Sequence, residues 1–109
     1  MNDKTQTQIE QLVELPVTDI LPSGNNPRII NEKDPGFIEL IKSIRARGVV
    51  VPIHVRNHPK QKDKYELLAG ERRLLAARAN VPTIRAINHG VIDDDAAFEI
   101  TFIENFARE

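Results

Sequence analysis

The chain contains no cysteine. That excludes disulfides, thiolate zinc sites, iron–sulfur ligation and cysteine nucleophiles, and it fits a reducing compartment. No apolar run approaches the ~18 residues of a membrane span. The opening residues, MNDKTQTQIEQ, lack the apolar stretch of a secretory leader, so neither secretion nor membrane insertion is expected. No G-x-x-x-x-G-K-[ST] loop occurs and no internal repeat is visible. His54, His58 and His89 lie in or near strand ends and turns, at no metal-ligand spacing, so no ligand or catalytic role is expected of them. Net charge is also nearly absent, at −1. Taken as a total, it speaks against nucleic-acid or phosphate partners.

The distribution says otherwise. Residues 1–41 carry three basic against seven acidic side chains, a balance of −4. Residues 42–85 carry eleven against three, or +8, and residues 86–109 one against six, or −5. A basic centre therefore lies between two acidic ends. Lys60, Lys62 and Lys64 belong to a polar turn. The other cations are either solvated helix faces or an anion site. The 109 residues, 40% hydrophobic and 28% charged, suit one globular domain with or without a tail.

Residues 1–14 are polar and read as a flexible tail. Glu14–Leu21 alternates as a short strand that Pro16 assigns to a sheet edge. Residues 22–35, with three Pro and three Asn, are a loop. Asp34 is placed to cap a helix that has Pro35 at its first position. Phe37, Ile38, Leu40, Ile41 and Ile44 recur at spacings of three and four, and Gly48 ends that helix after Arg47. Val49–Arg56 reads as a strand interrupted by Pro52. Tyr65–Ala69 is a strand, Gly70–Asn80 a helix, Thr83–Asn88 a strand, and 94–108 a helix opened by Asp93, Asp94 and Asp95. The order is strand, helix, strand, strand, helix, strand, helix. It implies an α+β fold, a small mixed β-sheet with about three helices packed on it.

Three segments offer chemistry. In YELLAGERRLLAAR, Tyr65–Arg78, a strand feeds through Gly70 into a helix start, where main-chain N–H groups and the helix dipole favour an anion. Gly70 permits close backbone approach, and Arg72 and Arg73 supply forked donors suited to phosphate. The bland alternative is an ordinary helix start with two solvated arginines. GNNPRIIN, Gly24–Asn31, presents Arg28 on a proline-stiffened loop that either lines a pocket or is a surface turn. In the last helix, Ala96, Ile100, Ile103 and Ala107 form an apolar stripe beside Phe98, Phe102 and Phe106, which reads as core packing or a dimer seam. Glu104 and Asn105 offer hard oxygen ligands for Mg²⁺ bridging phosphates, or Glu104 and Arg108 simply pair along the helix.

Together these segments resemble the N-terminal domain of the ParB partition-protein family. Asn26-Pro27-Arg28 is similar to the family's first box. Ser43–Arg56, SIRARGVVVPIHVR, resembles its S-I-x-x-x-G-x-x-Q-P-I-x-V-R stretch. Gly70-Glu71-Arg72-Arg73 resembles its phosphate box, and Glu104–Arg108, ENFAR, its E-N-x-x-R motif. The resemblance implies a ParB/sulfiredoxin-like fold over residues 15–109. It implies CTP and Mg²⁺ as cofactors, with Arg28, Gly70, Glu71, Arg72, Arg73, Asn105 and Arg108 around the nucleotide. Glu104 and Asn105 would face the metal, and Glu104 would be the catalytic carboxylate of a slow CTPase. Val51, Pro52 and Ile53 would border the nucleoside.

The implied partners are DNA through the whole protein, a second copy in a clamp dimer, and a ParA-type ATPase. No membrane is implied. The implied place is the bacterial cytoplasm, on nucleoid or plasmid, with a helix-turn-helix module expected after Glu109. Leu75 and Val51 depart from the family pattern, which often has Arg and Gln there, and the tail lacks the basic cluster many relatives use to stimulate the ATPase. The alternatives are a ParB-like interaction module without nucleotide, and a ParB-like nuclease. No carboxylate or histidine cluster suits two-metal phosphodiester cleavage, and sulfiredoxin chemistry needs the missing cysteine.

Overall fold

The computed structural model describes residues 11–22 and 33–107. Five strands and three helices follow in order: β1 Gln11–Pro16, a 3-10 turn Val17–Asp19, β2 Ile20–Leu21, α1 Pro35–Arg47, β3 Ile53–Asn57, β4 Tyr65–Ala69, α2 Glu71–Arg78, β5 Thr83–Asn88 and α3 Asp94–Ala107. The α+β architecture with three helices is the one expected.

The strands form one mixed sheet in the order β1-β5-β3-β4-β2. β1 pairs antiparallel with β5, and β5 runs parallel to β3. β3 is antiparallel to β4, and β4 parallel to β2. Pro16 does end an edge strand. The strand expected over 14–21 is nevertheless two strands, split by the 3-10 turn, and they occupy opposite edges. Residues 11–14, read as tail, belong to β1.

In a flat sheet those edges would lie four strand spacings apart, roughly 19 Å. The four peptide units from Pro16 to Ile20 reach only about 13 Å. The sheet must therefore curl toward closure, with the turn bridging its edges. Val17 N–H donates to the Pro82 carbonyl (3.1 Å), Arg78 Nη2 to the Ile20 carbonyl (3.2 Å), and Val17 and Ile20 are buried.

The concave face carries the core. Ile53, Val55, Ile84, Ala86 and Leu67 from the strands meet Phe37 and Ile44 of α1 and Leu74 and Ala77 of α2. Apolar residues spaced three and four apart put one face of α1 inward, as expected, with Leu40 and Ile41 half-buried and Ile38 exposed. Asp34 caps α1 by accepting from Phe37 N–H (3.2 Å), and Gly48 closes it at φ 77°. Pro52 delays β3 to Ile53, so Val49–Val51 are not strand.

α3 covers the other face, against β4. Asp93 caps it by accepting from Ala96 N–H (2.8 Å). The stripe read as core packing or a dimer seam is split: Ala96 and Ile100 are half-buried and Ile103 is exposed. Ala97, Ile100, Thr101 and Glu104 turn toward the sheet, whereas Phe98, Phe102, Ile103 and Phe106 are exposed, with Phe102 and Phe106 side by side.

Candidate functional site

The site begins where β4 becomes α2. Gly70 stands at φ 104°, a left-handed conformation that disfavours any residue with a Cβ. A Cβ there would lie 2.7 Å from Ile53 Cγ2 and 3.1 Å from Arg73 Nη1. Both contacts are informative. Ile53, wholly buried, is the floor of the turn. The Arg73 guanidinium folds back over the turn. The first helical bond of α2 runs from Leu74 N–H to the Gly70 carbonyl (3.0 Å), and Gly70 brings no capping side chain. The first turn thus presents main-chain N–H groups and the positive end of the helix dipole beside one guanidinium.

Arg72 goes elsewhere. Its Nη2 donates to Asp34 Oδ2 (3.1 Å), and its guanidinium carbon lies 6.0 Å from the Phe37 ring centre. Of the two arginines of the box, Arg73 sits on the turn, while Arg72 links the starts of α1 and α2. Glu71 stands in the first turn of α2. Leu75, at the position where a further arginine is common, packs against the core.

α3 brings Glu104 to the same end of the sheet. Glu104 Oε1 is 3.3 Å from Nε2 of His54. A bulge in the β3–β4 pairing sets His54 opposite Ala69, the residue before Gly70. The tertiary structure thereby connects the Gly70 turn to the Glu104–Asn105 motif across one histidine. Asn105 is exposed next to it. Arg28 and its box, and Arg108, lie outside the described residues.

His54 and His89 had no expected role. His54 Nδ1 is 3.0 Å from His89 Nε2, and His89 is buried. The only sequence signal was that His54 alternates with Arg56 and so shares its side of β3. What waits on that side depends on where α3 packs. Arg56 Nε donates to Glu66 Oε1 (2.7 Å), Nη1 to the Ile92 carbonyl (3.0 Å) and Nη2 to Asp94 Oδ1 (2.9 Å). Burial opposes the Arg56 charge, but its bonds to Asp94 and Glu66 outweigh it and hold its pKa above the ordinary arginine value. Among the described residues, no group of three or more His, Asp or Glu could hold a metal by itself.

Residues 1–106 match the family described as ParB N-terminal domain. The nucleoid occlusion protein of Listeria innocua is 36% identical over 110 residues, covering all of this chain and 37% of its own length. The chain thus spans little more than a third of that curated relative. Among solved structures, the truncated chromosome-partitioning protein ParB of Caulobacter crescentus, complexed with CTP-gamma-S, superposes with a TM-score of 0.76 at 35% identity, covering 91% of this chain and 54% of its own. The same protein complexed to the centromeric parS site gives 0.67 at 32% identity, over 85% of this chain and 46% of its own. Sulfiredoxin from Arabidopsis thaliana gives 0.60 at 26% identity, over 84% of this chain and 97% of its own. The expected ParB/sulfiredoxin-like fold is the one observed.

Proposed function

Because the chain belongs to the ParB N-terminal domain family, we propose that it is the nucleotide-binding module of a bacterial DNA-partition or nucleoid-occlusion protein. In this reading it takes CTP with Mg²⁺ and gates the closure of two subunits over DNA. The observation that carries the reading is the Ala69–Gly70–Glu71 turn. Its left-handed glycine opens a helix whose first-turn main-chain N–H groups lie beside the Arg73 guanidinium, a combination that suits a phosphate. A relative at 35% identity has been solved with a CTP analogue.

The residues fit the group. Gly70, Glu71 and Arg73 would hold the phosphates through the helix start and the guanidinium. Arg72 would support them from its pair with Asp34, and Arg28 and Arg108 complete the set proposed from the motifs. Magnesium commonly uses one or two carboxylate or amide oxygens together with substrate phosphates, so Glu104 and Asn105 suffice without a closed protein cage. When bound, the ion neutralises charge between phosphate oxygens. Glu104 is also the carboxylate proposed for slow CTP hydrolysis.

The exposed side chains of Phe98, Phe102, Ile103 and Phe106 flank this motif on both sides, an apolar face of the kind that marks an interaction surface. A second copy closing on it would bury it. DNA is read by the part of the protein beyond this chain, and a ParA-type ATPase completes the proposed partners. The site of action is the bacterial nucleoid or a plasmid.

The test is calorimetric titration of the chain with CTP, ATP, GTP and UTP in Mg²⁺. CTP preference is expected, lost in Arg73→Ala. Absence of binding by all four would replace the switch with an interaction module, which the apolar Leu75 would then explain. Metal-dependent nicking of plasmid DNA that survives Arg73→Ala and Glu104→Ala would establish the nuclease alternative.

A further inference from the structure

β3 turns two polar side chains toward α3, and the proposed function uses neither. Arg56 is a tie, bonded to Glu66, the Ile92 carbonyl and Asp94. His54 stands between two other groups. Its Nε2 is 3.3 Å from Glu104 Oε1 and its Nδ1 is 3.0 Å from His89 Nε2. The two ring planes are 19° apart with centres separated by 5.2 Å. With the nitrogens at 3.0 Å, the rings meet edge to edge, as an in-plane hydrogen bond requires.

With Glu104 ionised and both rings neutral, the proton positions follow from donor and acceptor capacity. An ionised carboxylate only accepts, so His54 Nε2 carries hydrogen. In the neutral ring Nδ1 then accepts, and His89 Nε2–H donates to it. His89 is held in turn: only 6% of it is exposed, and its backbone N–H donates to the Val55 carbonyl (2.9 Å), extending the β3–β5 ladder. The chain therefore runs from a fixed buried ring, through His54, to a carboxylate that is 35% exposed. Both nitrogens of His54 are used in opposite directions, so the three groups do not converge on one point as metal ligands would.

We propose that His54, anchored by His89, is a positioning residue for Glu104. It occupies one carboxylate oxygen and sets the rotamer, which leaves the other oxygen for a ligand. Hydrogen-bonded partners of this kind orient carboxylates that ligate metals, and their loss commonly costs 10- to 100-fold in metal affinity. The inference rests on the proposed CTP/Mg²⁺ function and adds to it a residue that fills an unspecified position of the Ser43–Arg56 stretch.

The test compares calorimetric titrations of the whole chain with CTP in Mg²⁺ and with CTP in EDTA. His54→Phe keeps the ring shape and removes both nitrogens. It is expected to cut the gain in affinity that Mg²⁺ provides by about tenfold or more, and to leave metal-free binding as in the wild type. His54→Gln retains an N–H donor and should recover most of that gain. His54→Phe combined with Glu104→Gln should bind no more weakly than Glu104→Gln alone. A merely structural histidine would lower the melting temperature without moving the Mg²⁺ difference. An intact Mg²⁺ gain in His54→Phe, or equal losses in Phe and Gln, overturns the inference while leaving CTP binding standing. A wild-type chain that binds no nucleotide overturns the proposed function and this role with it. Nitrogen-15 NMR needs no nucleotide and gives a separate reading. Hydrogen on Nε2 of the neutral His54 ring is expected, and hydrogen on Nδ1 would overturn the proposed chain of bonds.

Discussion

The two faces of the sheet are held by different physics. The concave face meets α1 and α2 through aliphatic side chains with almost no exposure, Ile53, Val55, Ile84 and Ala86 among them. The opposite face is linked to α3 by directional groups, Arg56 to Asp94 and His54 to Glu104, beside the small buried apolar contribution of Leu68 and Ala97. Area-driven burial is additive and hard to undo locally. A few bonds to partly exposed carboxylates can be exchanged one for another at modest cost. The first face stores the stability, and the second holds a helix that, in the proposed function, a ligand competing for Glu104 would re-pose. The conformationally responsive part of the domain is therefore expected at α3, where the large apolar side chains point outward.

Substitutions can break either side of that contrast. The largest effect is expected on the concave face. Ile84→Ala should cost about 3 kcal/mol of stability, measured by urea unfolding, and lower nucleotide binding only through the unfolded fraction. Arg56→Met should cost about 2 kcal/mol. It strands Glu66, but its other ion-pair partner, Asp94, is 87% exposed and returns to water. Hydrogen exchange should then rise first in α3, and uniform loss of protection across the sheet would refute the contrast.

Gly70→Ala sits between the two faces. A left-handed φ and a Cβ 2.7 Å from Ile53 Cγ2 should cost on the order of 1–3 kcal/mol and remove CTP binding altogether. The smallest stability change is expected for Phe102→Ser, within about 0.5 kcal/mol because the ring is exposed. It should nevertheless weaken nucleotide-dependent self-association in analytical ultracentrifugation. A large drop in melting temperature would mean that the aromatic face is core after all.

The legible elements were those with local causes. Asp34-Pro35 and Gly48 bound α1 because capping and left-handed glycine are decided within one turn of chain. Gly70 marked the strand-to-helix turn for the same reason. What could not be read came from packing between distant segments. The expected strand over 14–21 breaks because the sheet curls, so a 3-10 turn must bridge its two edges. α3 points its aromatics outward because its smaller residues fit against β4 and the sheet's apolar demand is met on the other side.

The amino-acid sequence by itself determined the element order from α1 onward, the Gly70 turn and the family motifs, because capping, periodicity and glycine stereochemistry act over a few residues. The near-zero net charge resolved in the same way, into a basic centre and an acidic last helix. Only the tertiary structure decided that Arg72 turns away to Asp34 while Arg73 stays on the turn, and that Glu104 meets His54. The physical reason is register. One bulge opposite His54 and the seating of α3 on β4 set which side chains come within hydrogen-bonding distance, and neither leaves a local signature in the chain.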